Sequence, residues 1–513
     1  MPKLVIDQSE FYKGWAKDLG GSNSTGVEAP RGYYSKSSTG ISPFRLSKFG
    51  QIAPGEPVAA IADGGGIITG LGIAAATTSN GKSHVITDDE KIFSIDHVTA
   101  DALADEVAIS TPHASHNGTR SDEGDIISCF ANVSSALTEI VLYSWNDNGN
   151  SGTGPDGDIG RMLKDGTSED DNFMSDVPTG KAVLQNGGTS NPYPHKMVIG
   201  PDKNVYITNG QYLAQYDPFT GADGTFNATK LNFGKNFIGT SIDVYGNYVV
   251  VVGYYATTYI TSLSRSESVA WLWDTNGEFP QQSYSLFDNY ATAVKNTEYG
   301  LYVFTQGRNN TTKIKLFTGS GFKTIFESQQ IGNTPLHNSV EIWQNMLHFT
   351  NASRLMCMDG EAFHLRNLGG STGFLKNLTG NTLYLASGTD IYTVSTTEYL
   401  VDCDFRSRVF SLPHKSLINK ITVYFSQFGT GASLTFSLFK NYANVGIGGA
   451  DDLTNETITN ATHGAISSYV FYPTGIIDVD SFYFNLRFNH AATTNTAAIV
   501  RKVEIEFEEV ERD

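Results

Sequence analysis

The amino-acid sequence predicts an all-β fold, in which a β-propeller of about seven blades is followed by a C-terminal β-sandwich. Two observations lead to this prediction. One strand phrase recurs seven times between residues 83 and 395, and longer alternating strands replace it after residue 398. The phrase is a run of β-branched and aromatic residues, a turn of Asn, Gly, Asp or Ser, and a second run. Its copies begin at residues 84–87, 140–143, 205–208, 249–252, 301–304, 346–349 and 383–386.

The spacing of these copies is typical of propeller blades. Their second residues lie 37 to 65 residues apart, close to the roughly 40 to 50 residues of one four-stranded blade. Residues 203–217 show the pattern most clearly, because alternation lies on both sides of Asn209-Gly210, a strong hairpin signal. We therefore expect the propeller over residues 61–398. Such a fold has two flat faces and serves either as a catalytic cup or as an assembly disc.

Residues 1–60 are predicted to form an extended arm before the propeller. Strand-like pieces at 3–6 and 44–49 alternate with Gly- and Ser-rich joints, and no hydrophobic period covers the segment. Aromatic residues argue against a disordered leader, because disordered segments contain few of them. They are Phe11, Tyr12, Trp15, Tyr33, Tyr34 and Phe44. We expect the arm to pack along this protein or along a neighbouring molecule.

Residues 399–513 have the pattern of a β-sandwich or jelly roll. Every second residue is apolar around Ile421, Val423 and Phe425, and again over 503–507, as in a sheet with one buried face. The predicted strands are 402–412, 420–428, 432–440, 467–472, 482–488 and 499–508. The acidic ending 504–511 predicts carboxylates on the solvent side of a last strand, where they would discourage edge pairing.

Composition narrows the class of protein. Of the 513 residues, 17% are charged, the net charge is −18, and Gly (52), Tyr (25) and Phe (30) are abundant. Lys and Arg are scattered, so the sequence gives no indication of binding to nucleic acid or to an anionic membrane. No apolar stretch approaches 18 residues, and the N-terminus lacks a signal-peptide core. We expect a soluble product made in the cytoplasm, without a membrane span.

The three cysteines, Cys129, Cys357 and Cys403, are odd in number and far apart. This pattern argues against a disulfide framework and predicts buried free thiols in strands.

Two segments have some features of a metal site. His113 and His116 have a suitable spacing, but no third and fourth zinc ligands are evident, so exposed loop histidines are the favoured interpretation. The loop from Asn146 to Asp158 is rich in oxygen ligands yet lacks the register of a calcium-binding loop. A solvated turn is favoured there, with calcium binding as the alternative. The sequence therefore predicts no metal site.

Catalytic motifs are also missing from the sequence. There is no sialidase Asp-box, no nucleophile elbow, no phosphate loop and no dinucleotide fingerprint. The carboxylate pairs Asp88-Asp89 and Asp170-Asp171 are adjacent, and neighbouring side chains of a strand point to opposite faces. We therefore expect a protein without catalytic residues or cofactor. Trp271 and Trp273 share one strand face and suit a glycan platform, but packing between blades is the favoured role.

The layout of the whole chain resembles propeller-containing structural proteins from the tails of tailed bacteriophages. The residues that carry this resemblance are 40–44 (GISPF) and 54–57 (PGEP) before the first blade, and 402–425 at the opening of the sandwich. The resemblance implies a non-enzymatic virion protein of the tail or tail tip, present in several copies and bound to itself and to other tail proteins. Two alternatives remain. One is a receptor protein that binds host surface glycan, and the other is a propeller glycan hydrolase with carboxylates or histidines converging on the central channel.

Overall fold

The structure is a computed structural model of the chain. It describes residues 124–146, 156–164, 193–256, 266–307, 311–328 and 334–351 without a break, and elsewhere mainly the strands given below. The chain divides into two compact units, residues 59–353 with 370–393, and residues 1–58 with 354–369 and 394–513. Across the residues described, no helix has the length and apolar character needed to cross a membrane.

The described residues up to 394 form three short leading strands and seven sheets, which we call blades 1 to 7. The leading strands are β1 Lys3–Ile6, β2 Ser35–Thr39 and β3 Val58–Ala60. Blade 1 contains β4 Gly72–Ala74, β5 Lys82–Ile86, β6 Ile92–Asp96 and β7 Ala102–Val107. Blade 2 contains β8 Asp125–Val133, β9 Ala136–Asn146, β10 Asp156–Leu163, β11 Asp170–Met174 and β12 Leu184–Gln185. Blade 3 contains β13 Met197–Ile199, β14 Val205–Asn209, β15 Tyr212–Asp217 and β16 Thr225–Asn232.

The remaining blades follow the same plan. Blade 4 contains β17 Phe237–Tyr245, β18 Tyr248–Tyr255, β19 Glu267–Trp273 and β20 Gln282–Ser285. Blade 5 contains β21 Tyr290–Thr297, β22 Gly300–Gln306, β23 Thr312–Phe317 and β24 Phe322–Ser328. Blade 6 contains β25 Val340–Trp343, β26 Met346–Asn351, β27 Arg354–Asp359 and β28 Ala362–Asn367. Blade 7 contains β29 Phe374–Asn377, β30 Leu383–Ser387 and β31 Asp390–Val394, and β3 is its fourth strand.

The first strands of the blades form a closed ring, which defines the propeller. Each contacts the first strand of the next blade, in the order β4, β8, β13, β17, β21, β25, β29 and back to β4. The seven phrases found in the sequence all lie in second strands, from β5 in blade 1 to β30 in blade 7. The predicted propeller of about seven blades is therefore confirmed. Because β3 pairs with β31, the last blade is completed by a strand that the sequence assigned to the arm.

Burial explains why the second strands are hydrophobic runs. All five residues of β14 are buried, and so are five of the eight in β18. A central strand covered on both faces needs apolar residues at every position, not at alternate ones. Trp273 is 1% exposed and packs edge-on against Tyr206 of the preceding blade, with ring centroids 5.4 Å apart. The interpretation of the tryptophan pair as core packing between blades is thus confirmed for Trp273.

The hairpin predicted at Asn209-Gly210 is present, but its turn lies one residue later. Asn209 still pairs with Tyr212, so Gly210 and Gln211 form the two-residue turn. Gly210 has φ +58, a conformation that glycine adopts without strain. Asn209 is instead a buried strand residue, whose amide Nδ2 donates to the Ala228 carbonyl oxygen at 2.8 Å.

The C-terminal strands belong to one sheet together with β1 and β2, and Ile6 of β1 lies in their hydrophobic core. They are β32 Cys403–Ser407, β33 Phe410–Ser426, β34 Ala432–Lys440, β35 Glu456–Thr459, β36 Ser468–Phe471, β37 Asp478–His490 and β38 Ile499–Glu509. Phe436 of β34 stacks on Phe471 of β36 at 5.3 Å, although these strands are not paired. This contact across the core is what a sandwich of two facing layers requires.

The long strand β33 joins the two parts of this domain. Its beginning pairs with β37, its end pairs with β38 and β36, and the register shifts between Ser411 and Ser416. The sequence predicted separate strands at 402–412 and 420–428. The boundary was misplaced because hydrophobic alternation is interrupted around Pro413, although the chain continues as one strand.

The acidic strand β38 is not a free edge, so that expectation is wrong. β1 pairs with it on one side and β33 on the other. Lys3 and Lys502 each lie 2.6 Å from a carboxylate oxygen of Glu504. Burial alone would raise the pKa of Glu504, but hydrogen bonds from Lys3, Lys502 and Tyr424 outweigh it and lower the pKa to about 2. Lys3 of the neighbouring strand β1 and Lys502 of β38 itself thus allow Glu504 to lie inside the sheet.

The cysteine prediction is confirmed. Cys129, Cys357 and Cys403 are buried, form no disulfide, and lie in β8, β27 and β32. Burial raises the pKa of the Cys129 thiol to about 12, so that thiol is unreactive at neutral pH.

Closure of blade 7 by β3 leads to a test with two truncations. A chain that starts at residue 57 retains β3, whereas a chain that starts at residue 62 lacks it. Both lack β1 and β2, so the difference between them isolates the closing strand. We expect the shorter chain to have a melting temperature several degrees lower and faster amide exchange in β31, because β31 then loses its partner. Equal exchange in the two chains would contradict the closure.

Candidate functional site on the innermost strands

The innermost strands carry a group of polar residues that we call the axial cluster. They come from blades 2 to 6, and their first strands encircle the propeller axis. The members are Asp125, Lys196, Ser241, Asp243, Lys295, His337 and Glu341. His337 lies in the 3-10 helix His337–Ser339, directly before β25. Lys295 and His337 keep 24% and 17% of their side-chain surface exposed, whereas Asp125, Lys196, Ser241 and Glu341 are buried.

Three members are the residue types of a catalytic triad, but in a triad the serine bonds Nε2 of the histidine and the aspartate bonds Nδ1, and here the two nitrogens are exchanged. Ser241 Oγ lies 2.7 Å from His337 Nδ1, and His337 Nε2 lies 3.5 Å from Asp125 Oδ2. In nucleophilic catalysis the serine must reach substrate. Ser241 is instead fully buried, and its Oγ accepts the backbone N–H of Val294 at 3.0 Å. The three residues therefore connect blades 2, 4, 5 and 6, and a nucleophilic role would require Ser241 to become accessible.

Two carboxylates of the cluster bond to the backbone in the same way. Asp125 accepts the N–H of Ile126 at 2.9 Å and that of Met197 at 2.8 Å. Asp243 accepts the N–H of Val244 at 2.8 Å and that of Asn296 at 2.6 Å. In each case one oxygen binds the carboxylate's own strand and the other binds the next blade.

Threonines connect the same blades at strand irregularities. The Thr240 hydroxyl donates to the Ala291 carbonyl oxygen at 2.6 Å, and the Thr292 hydroxyl donates to the Pro335 carbonyl oxygen at 2.7 Å. Both lie at a register shift of the first strand, between Gly239 and Ser241 in β17 and between Ala291 and Ala293 in β21. Such bulges turn a side chain out of the regular ladder. Here the redirected hydroxyl binds the neighbouring blade.

The cluster contains charges of both signs. Lys295 Nζ lies 3.2 Å from Glu341 Oε1. Burial alone would lower the pKa of Lys295, but the carboxylates of Glu341, Asp243 and Asp125 outweigh it and raise the pKa. Burial raises the pKa of Asp243, with Lys295 acting against it. Burial also lowers the pKa of His337, which favours the neutral imidazole despite the neighbouring Asp125.

A second buried ion group lies at the junction of blades 4 and 5. Asp288 is 4% exposed, and each of its carboxylate oxygens lies 2.9 Å from a lysine ammonium, Lys313 or Lys315. Burial alone would raise the pKa of Asp288, but hydrogen bonds from Lys315, Lys313 and Thr305 outweigh it and lower the pKa. The Asp288 carbonyl oxygen also accepts the N–H of Ser268 at 3.0 Å. This group too joins two blades.

No member of this cluster was singled out in the sequence. His113, His116, the Asp88-Asp89 pair and most of the loop between Asn146 and Asp158 fall outside the described residues. Asp170 is described and lies 4.0 Å from Arg161. In the described part of the chain, no group of three or more His, Cys, Asp or Glu residues is arranged to hold a metal ion.

Sequence reasoning missed the axial cluster because its members are far apart in the chain. Ser241 and His337 are 96 residues apart, and no motif connects them. One signal was available: a carboxylate opens or interrupts a first strand in blades 2, 4 and 6, as Asp125, Asp243 and Glu341 do.

Comparison with known proteins finds similarity at the level of the fold. No protein-family model and no curated protein sequence matches the chain. One similar structure is a catalytically inactive virginiamycin B lyase from Staphylococcus aureus with quinupristin, at 11% identity and a TM-score of 0.42, covering 66% of this chain and 98% of that one. Another is the β-propeller domain of Cps50 (Swd1) from Myceliophteria thermophila, at 10% identity and a TM-score of 0.39, covering 66% and 99%. At such identities the similarity concerns the fold alone.

The bonds of Asp125 lead to a stability prediction. Asp125→Ala leaves the buried N–H of Met197 without its acceptor and removes the carboxylate beside His337, so we expect a loss of about 2–4 kcal/mol in the free energy of unfolding. Asp125→Asn keeps one oxygen acceptor and should lose less. Denaturant unfolding followed by tryptophan fluorescence measures both. Equal stability of the alanine variant and the native chain would contradict the bridging role.

Burial of His195 leads to a pH prediction. Its side chain is fully buried, Nδ1 donates to the Thr208 carbonyl oxygen at 3.0 Å, and burial lowers its pKa from 6.5 to about 4. Between these two values the unfolded chain binds a proton at His195 that the folded chain does not. The contribution of His195 to stability is therefore fully present above pH 6.5 and is lost as the pH falls towards 4. His195→Gln should make this fall shallower in denaturant unfolding. His414→Gln, at an exposed position of β33, is the matched control for the change of side chain.

Proposed function

We propose that this protein is a non-enzymatic structural component of a bacteriophage virion, in the tail or tail tip, where several copies assemble with one another and with other tail proteins. The proposal joins the resemblance in layout to the chemistry of the axial cluster.

The hydrogen bonds of the axial cluster are the main support for the proposal that the protein is not an enzyme. Asp125, Asp243 and Ser241 each accept a backbone N–H from the next blade. A catalytic group must offer its lone pair or proton to a substrate. Oxygen atoms that already accept a hydrogen bond from the next blade are poorly placed to react with a substrate. The same bonds make the propeller rigid.

The arm and the C-terminal strands support the assembly part. β1 and β2 occupy the two ends of the path β1-β38-β33-β37-β32-β2, so the described arm strands pair within their own chain. As end strands, β1 and β2 each pair with one neighbour among the strands that the structure describes, so contact between copies through their outer edges needs no strand exchange. β35 and β36 each pair with one neighbour among the strands that the structure describes. An open strand edge is a surface on which another chain can add a strand.

The experiment that tests this proposal starts from phage particles whose genome encodes the chain. Mass spectrometry of purified particles should find the full-length protein in several copies, and gold-labelled antibodies should decorate the tail. The purified protein should leave host surface polysaccharide intact. Absence of the protein from particles would refute the virion role, and release of sugar fragments would refute the non-enzymatic role in favour of a glycan hydrolase.

A further inference from the structure

The dipeptide Asn-Gly occurs twice in the described part of the chain, and both copies belong to the tripeptide Thr-Asn-Gly. One copy, residues 208–210, lies at the end of β14, and the other, residues 275–277, lies in the turn between β19 and β20. Four more Asn-Gly dipeptides, at residues 80, 117, 148 and 186, fall outside the described residues. The two described copies have the same local sequence and different surroundings, so their chemistry can be compared directly.

An asparagine that precedes glycine can modify itself. The backbone nitrogen of the next residue attacks the side-chain carbon Cγ, and glycine permits this approach because it has no Cβ. An N–Cγ bond forms, the Cγ–Nδ2 bond breaks, and ammonia leaves with the proton of the attacking nitrogen. Water then opens the succinimide ring. Opening at Cγ gives aspartate, and opening at the main-chain carbonyl gives isoaspartate.

The fold blocks this reaction at Asn209. The side chain is fully buried, its Nδ2 donates to the Ala228 carbonyl oxygen at 2.8 Å, and its Oδ1 accepts the backbone N–H of Gln185. The carbonyl oxygen of Gly210 accepts the N–H of Gly239 at 3.1 Å, so the next peptide unit is held as well. Attack on Cγ would require the amide to leave both bonds and water to enter, which means local opening of blade 3.

Asn276 has no such protection, because its side chain is exposed. Its Nδ2 donates to the carbonyl oxygen of Asp274 at 3.1 Å, at the surface of the protein. Water can replace a bond of this kind at little cost. The backbone N–H of Asn276 donates to Asp274 Oδ1 at 3.1 Å and holds the main chain of the turn. The side chain can therefore rotate towards the nitrogen of Gly277 without any opening of the sheet.

We propose that Asn276 is a site of spontaneous modification, at which the folded protein converts asparagine to aspartate and isoaspartate while Asn209 stays intact. The reaction uses water and the backbone nitrogen of Gly277. It concerns the chemistry of the chain itself and is independent of the proposed function.

The modification affects the core of blade 4 through Trp273. The carbonyl oxygen of Gly277 accepts the indole N–H of Trp273 at 2.9 Å, and Trp273 is 1% exposed. Isoaspartate adds a methylene to the main chain directly before Gly277 and so displaces this carbonyl. A buried indole N–H that loses its acceptor destabilises the fold. The modified chain is therefore expected to be less stable than the fresh one.

The test incubates the full-length folded protein in mildly alkaline buffer and follows both asparagines by peptide mass spectrometry. Isoaspartate is detected with an isoaspartate methyltransferase. We expect modification of Asn276 to be at least about 10-fold faster than that of Asn209, because core strands open rarely and exposed turns need no opening. In the chain unfolded by urea the two asparagines should react at similar rates, since they share one tripeptide.

Two variants isolate the site. Asn276→Gln lengthens the side chain and disfavours ring closure. Gly277→Ala hinders the attacking nitrogen, and its Cβ would lie 3.3 Å from Gln281 Nε2 and from the Phe279 carbonyl oxygen, which a small shift accommodates. Both variants should lose the modification at residue 276. Incubation should lower the melting temperature of the native chain more than that of either variant, and melting of fresh samples checks that both fold.

Equal rates at Asn209 and Asn276 in the folded chain would overturn the proposal. So would an unmodified Asn276 after a time in which the unfolded chain has reacted. If incubation lowers the melting temperature of the native chain and of Asn276→Gln equally, the proposed effect on the Trp273 bond is wrong.

Discussion

Backbone polar groups at the junctions between blades need partners that the sheets do not provide. The first strand of each blade packs against its neighbour in the ring instead of pairing with it, so N–H groups such as those of Met197, Val294 and Asn296 point at another sheet. Leaving such a group buried and unpaired costs about 1–3 kcal/mol. Side chains of Asp125, Ser241 and Asp243 accept these bonds. The ring of blades depends on them, because hydrophobic packing alone would leave the junctions unsatisfied.

The use of buried carboxylates at the blade junctions has an electrostatic consequence for the residues around the propeller axis. A buried carboxylate is costly unless a cation or several hydrogen bonds accompany it. Lys295 lies beside Glu341, and the surrounding carboxylates raise the pKa of Lys295. At another junction, Lys313 and Lys315 form ion pairs with the buried carboxylate of Asp288. The mixed charges near the axis, including a serine, histidine and aspartate in contact, thus follow from holding blades together and do not by themselves indicate an enzyme.

Sequence reasoning predicted what depends on local pattern. Val249 to Val252 form a hydrophobic run because β18 is covered on both faces, and Ile421, Val423 and Phe425 alternate because their sheet has one buried face. The free cysteines followed from their number and spacing. The sequence did not predict features that depend on pairing between segments far apart in the chain. Nothing local shows that β3 pairs with β31, that β1 lies against β38, or that His337 meets Ser241. Composition alone also suggested a free edge at Glu504, whereas the balancing Lys3 is supplied by the other end of the chain.

The division of labour between junctions and turns follows from these constraints. Residues at the junctions have little freedom to acquire a binding role, because their polar atoms already hold blades together. Turns are free of that requirement, and a turn anchored to the next blade presents its side chains on a rigid base. The β8–β9 hairpin and the β15–β16 loop meet this condition, since Asn132 and Ser135 bind the neighbouring loop while Phe130 and Leu137 remain exposed. The hairpin tip and the loop therefore form one hydrogen-bonded unit between blades 2 and 3.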